Sequence, residues 1–105
     1  MPQRRRPSQR RGIARFFTDT ELGVLDSLRR GPTHLYEIAT TRGFPRSSVH
    51  KALLRLKDGD LVSPLDAKPS AERPGLYITP WCLTDDGQDL VKLLVKLDAL
   101  PEEPS

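Results

Sequence analysis

Apolar positions recur at helical spacing through the first half of the chain and change period after residue 60. In "FTDTEL", Thr18 is placed to cap a helix, and Glu21 completes a capping box three residues on. Phe17 and Leu22 flank it at the positions of a hydrophobic staple. The spacing of Leu22, Leu25 and Leu28 predicts a helix from about Asp19 to Arg29, stopped by Gly31-Pro32. A second helix is expected from about Thr33 to Thr41, with Leu35, Ile38 and Ala39 facing inward and Arg42-Gly43-Phe44 as the turn. Pro45 suits the first position of a third helix, where its missing N–H costs nothing. That helix runs to about Asp58, with Val49, Ala52, Leu53 and Leu56 in one arc about 100° wide.

Beyond it the pattern is β-compatible. "LVSPL" at 61–65 and "LYITPWCL" at 76–83 read as strands around a Pro/Gly/Ser-rich loop, "DAKPSAERPG". Pro80 cannot donate to a ladder, so an edge, bulge or break is expected there. Thr84 then caps a fourth helix, with Asp85 and Asp86 at its positive end, running to about Leu100 and stopping at Pro101. Two strands alone are not stable in water and must pack on the helices. Three helices, a two-stranded wing and a C-terminal helix describe a mainly α chain with a small β wing: a winged helix-turn-helix. The expected organisation is a disordered basic tail over 1–12, one domain over 13–100 and a disordered end over 101–105.

Charge changes this picture from fold to partner. The net charge of +3 is small, but residues 1–15 hold six Arg and no acid, and residues 29–57 hold seven Lys/Arg against Glu37 alone. Residues 84–105 hold six acids against two Lys. Segregation of this kind points to a polyanionic partner. On the third helix, Ser47, Ser48, Lys51, Leu54 and Arg55 fall opposite the apolar arc, with His50 at its shoulder and Arg46 in the first turn. In helix-turn-helix proteins this part of the second motif helix meets base edges in the major groove, where Lys, Arg and Ser are suitable groups. Plain solvation would also give a charged outer face, so the surrounding topology decides between the two. Lys68 and Arg73 are the wing's cations, balanced by Asp66 and Glu72. Arg4, Arg5, Arg6, Arg10 and Arg11 form a basic arm that could enter a minor groove, or simply solubilise the chain.

Other chemistry finds little support. Cys82 is the single cysteine, which excludes an intrachain disulfide and a multi-Cys metal site; a buried structural thiol is expected. No stretch approaches the roughly 20 apolar residues of a membrane span. The Arg-rich start has no apolar run behind it and carries Pro2, Pro7 and Gly12, so a cytoplasmic, nucleoid-associated protein is expected. His34 and His50 are separated by a helix and a turn, and the sequence contains no Gly-rich phosphate loop, metal-ligand cluster or usable nucleophile set. Neither an enzyme nor a cofactor is expected, and no small-molecule effector is indicated.

The fourth helix bears on assembly. Leu90, Leu93, Leu94, Leu97 and Leu100 form a stripe that Val91 and Val95 widen to an arc of about 220°. A helix burying one side needs little more than about 100°. The surplus predicts a covering surface, most simply a second copy, with Val91, Leu94 and Val95 at the dimer interface and 84–100 as the dimerisation helix.

Three segments resemble the PadR family of winged-helix transcriptional regulators, within the wider MarR-like group, over about residues 20–95. "GPTHLYEI" at 31–38 resembles that family's Gly-Pro-x-His-Gly-Tyr-Glu-Ile, with Leu35 in place of a Gly. "SSVHKALLRLKDGDLV" at 47–62 resembles its recognition helix, with His50 where a Tyr is usual and Asp60 where a Gly is usual. "WCLTDDGQDLV" at 81–91 resembles its Tyr-x-Leu-Thr-x-x-Gly segment. The resemblance implies a dimeric bacterial repressor. The resulting expectation is sequence-specific binding of double-stranded DNA by a homodimer. The alternatives are a winged-helix protein–protein module and a plasmid or phage accessory DNA-binding protein.

Overall fold

The computed structural model describes residues 16–102. The elements in chain order are α1 (Asp19–Leu28), β1 (Thr33–His34), α2 (Leu35–Arg42), α3 (Arg46–Asp58), β2 (Val62–Pro64), β3 (Lys68–Pro69), β4 (Tyr77–Ile78), β5 (Pro80–Leu83) and α4 (Asp85–Lys96).

Helix α1 starts as its sequence requires. The Glu21 N–H donates to Thr18 Oγ1 at 3.1 Å, and Glu21 Oε1 accepts the Thr18 N–H at 2.8 Å, closing a reciprocal capping box. Between α2 and α3, Gly43 takes the left-handed conformation (φ 72°), where a side chain would be strained. The apolar arc of α3, Val49, Ala52, Leu53 and Leu56, is buried against Leu22, Val24, Leu25 and Leu28 of α1 and against Ile38 and Ala39 of α2.

Four expectations need correction. Thr33 and His34 do not open α2; they form β1 and pair with Trp81 and Pro80 of β5. Pro45 is the N-cap of α3, one position outside the helix. The 66–75 segment is not wholly loop, because Lys68 and Pro69 pair with Ile78 and Tyr77 to make the wing hairpin. Finally, α4 ends at Lys96: Asp98 turns left-handed (φ 63°), and the Ala99 and Leu100 N–H groups both fold back onto the Leu94 carbonyl.

The 76–83 stretch breaks at Thr79, just before the proline. Pro80 opens β5, the central strand of an antiparallel sheet ordered β1-β5-β2, and β4 turns away into the wing. The proline carbonyl still serves the fold by accepting the Leu65 N–H at 2.8 Å. Glycine is required at 87 for close approach: a Cβ there would collide with the Leu61 carbonyl oxygen. That carbonyl also accepts the Thr84 N–H at 3.1 Å, fastening the start of α4 to the turn between α3 and β2. Cys82 is half-buried on β5 rather than fully buried.

Candidate nucleic-acid interface

Burying one arc of α3 forces the opposite arc outward. Arg46, Ser47, His50, Lys51, Leu54 and Arg55 are all exposed, and Ser48 is half-buried at the shoulder. Leu54 is 42% exposed, so it does not pack under the wing. The start of α3 differs from those of its neighbours. Helices α1, α2 and α4 carry Asp or Glu in their first turns, whereas α3 carries none and begins with Arg46. A cation at the positive end of a helix dipole is unfavourable by itself, and an anion supplied from outside offsets it.

Not every cation of the basic block faces outward unattached. Arg55 Nε lies 3.1 Å from Glu21 Oε2, so the capping-box carboxylate, buried beneath α3, also holds this outer-face arginine. The Arg55 side chain remains 67% exposed, leaving much of the guanidinium facing solvent. Arg29 and Arg42 converge on the buried carboxylate of Asp26 from two helices' ends, and Arg42 Nε also donates to Ser27 Oγ at 2.9 Å. These two arginines hold the fold together. The sequence counts them with the basic block, but their partners lie three and sixteen residues away, and the second of these is a tertiary contact.

Around the N-terminal end of α3, side chains stack. The Arg46 guanidinium lies over the Tyr36 ring, 4.7 Å from its centroid. Tyr36 meets the His34 ring edge-on, with centroids 6.1 Å apart and planes at 66°. His34 is in turn the N-cap of α2, its Nδ1 accepting the Glu37 N–H at 3.3 Å. Tyr36 does not stand out in the sequence as a site residue, because its contact with Arg46 depends on how α2 crosses α3. Tyr36 and Arg46 line a groove of about 850 Å³ whose far wall is the wing, including Lys68, Arg73, Leu65 and Leu76. Lys68 and Arg73 are exposed. Arg4, Arg5, Arg6, Arg10 and Arg11 lie outside the described residues.

The residues expected at a dimer interface on α4 lie mostly inward in the single chain. Val91 and Leu94 are buried in the chain's own core, and Val95 is half-buried against it. Leu100 also reaches that core, through the turn after the helix rather than along its stripe. What α4 exposes is Leu93, at 40%, beside Lys92 and Lys96. Among the described residues, no helix is long and apolar enough to cross a membrane, and no three His, Cys, Asp or Glu side chains cluster as a metal site.

No family model matches the chain, and no curated protein matches it. Solved structures do share its architecture. ZitR from Lactococcus lactis, a zinc-responsive MarR family member, superposes with a TM-score of 0.63 at 21% identity, over 78% of this chain and 54% of that one. The adhesin competence repressor AdcR from Streptococcus pyogenes gives 0.61 at 16% identity, over 76% and 55%. RV1404 from Mycobacterium tuberculosis gives 0.63 at 26% identity, over 76% and 52%. The present chain therefore spans about half the length of these proteins. The architecture they share with it is the winged-helix fold.

Proposed function

We propose that this chain binds double-stranded DNA in a sequence-dependent way through the outer face of α3 and acts as a transcriptional regulator, most simply a repressor. The observation that carries the reading is the start of α3: an acid-free first turn, with Ser47 and Lys51 exposed opposite the buried stripe and Arg46 and His50 exposed at its flanks. Lys51 and Ser47 have the chemistry to meet base edges in a major groove, and Lys68 and Arg73 of the wing to meet phosphates. The MarR-family membership of ZitR and the repressor role of AdcR agree with this reading. The finer PadR-like character rests on the three sequence segments. Pairing of two copies is part of the proposal, with Leu93 rather than Val91 or Leu94 as the available apolar residue on α4.

A second reading, a protein-docking module, draws on the engagement of Arg29, Arg42 and Arg55 by internal carboxylates, which leaves a smaller basic surface than the sequence count implies. Fluorescence anisotropy on duplex DNA across a salt series separates the two. The DNA reading predicts affinity falling with salt at a log–log slope of about −0.9 per phosphate engaged, and about tenfold or greater loss for Lys51→Ala. Unchanged affinity in Lys51→Ala together with weak, shallow binding favours the protein-docking reading.

A further inference from the structure

We infer that Arg46 contacts the sugar–phosphate backbone rather than a base edge, and that Tyr36 is the residue that positions it. The inference rests on the DNA-binding reading above and specifies one of its contacts.

Three observations converge. First, Arg46 sits on α3 about 60° from Val49 at the centre of the buried arc, whereas Ser47 and Lys51 lie about 160° away on either side. Arg46 is thus at the flank of the outer face, and the centre of that face belongs to Ser47, Lys51 and Leu54. Second, the Arg46 guanidinium lies over the Tyr36 ring, its Cζ 4.7 Å from the centroid, within cation–π range. The contact holds the guanidinium in place over the ring, and its N–H fork has the geometry to donate to two oxygens of one anion. The ring is braced in turn by His34, itself held as the α2 cap. Third, this stacked pair forms one wall of the groove whose other wall carries Lys68 and Arg73. When a helix occupies a major groove and a wing approaches the neighbouring minor groove, the DNA element between them is the backbone, which presents phosphates. Three cations line that groove, Arg46, Lys68 and Arg73, against two acids, Glu37 and Glu72.

The test uses the full chain with Arg46→Ala, Tyr36→Phe, Tyr36→Leu and the Arg46→Ala/Tyr36→Leu double variant. Each is titrated with one high-affinity duplex selected by the wild type, over a salt series, and each is put through the same selection from a random duplex pool. Thermal melts show whether each variant is folded. Arg46→Ala is expected to lose about tenfold in affinity, to reduce the salt slope by about 0.9, and to enrich the wild-type motif. Tyr36→Phe should behave as wild type, because the ring is what Arg46 rests on. Tyr36→Leu should lose affinity and slope in the direction of Arg46→Ala, and add nothing on that background. Relaxed preference at one base pair with an unchanged slope would make Arg46 a base reader and overturn the assignment. Equal losses in Tyr36→Phe and Tyr36→Leu, or full additivity in the double variant, would overturn the positioning role. Wild-type binding unaffected by any of these changes would remove this inference alone. A wild type that binds no duplex would remove the DNA-binding reading and this inference with it.

Discussion

Asp60 occupies the left-handed region of backbone space, with φ at 61°, and its carbonyl accepts the Thr84 hydroxyl at 2.6 Å. The position is one where the resembling family carries Gly, and the backbone explains both residues. Glycine enters this region without a steric cost, and Asp is among the few others that tolerate it. Asp60→Gly is therefore expected to raise stability by about 0.5–1 kcal/mol, the relief of strain exceeding the added freedom of the unfolded chain. Urea denaturation checks this, and a loss of stability would mean that the Asp side chain does more than tolerate the turn. Local chemistry of this kind was legible in the sequence. Thr18 with Glu21, and Thr84, cap helices as their positions suggested, whereas the His34 cap emerged only once α2 was seen to begin at Leu35. The second role of Glu21, holding Arg55 across the α1–α3 contact, was not legible, because nothing local links residues 34 apart in the chain.

At the scale of elements, the buried arc of α3 was readable from period alone, and it fixes by exclusion which side chains face out. The wing was readable only in part. Lys68-Pro69 has no alternation to mark a strand, and it becomes one only through its register with Tyr77 and Ile78. Helix α4 shows where a one-dimensional stripe and the folded helix differ. Its wide apolar arc suggested a second copy as cover, but the wheel assumed a helix continuing to Leu100. The chain instead turns at Asp98 and brings Leu100 back onto the core, where Val91 and Leu94 are also buried. The consequence is a sharp contrast between neighbours. Leu94→Ala, at a fully buried site, should cost about 2–5 kcal/mol, and Leu93→Ala within about 0.5 kcal/mol at low protein concentration. Denaturation at two concentrations checks both. A concentration-dependent loss in Leu93→Ala would identify that side chain as covered by another copy.

Over the whole molecule, charge separates into two populations. Among the described residues, Arg29, Arg42 and Arg55 answer internal carboxylates, whereas Arg46, Lys68 and Arg73 line the groove between α3 and the wing. The sequence showed the segregation of sign along the chain but could not sort the cations by use, since that depends on which helices meet. The fold, by contrast, was legible from element order, and the superposition on ZitR and AdcR agrees with it. The central claim is that the outer face of α3 reads DNA sequence. Its most direct test is selection from a random duplex pool by the purified chain and, in parallel, by a Ser47→Ala/Lys51→Ala variant. The wild type should enrich a defined motif, palindromic if two copies bind together, and the variant none or a degraded form of it. An identical motif from both proteins, or none from the wild type, would contradict the claim.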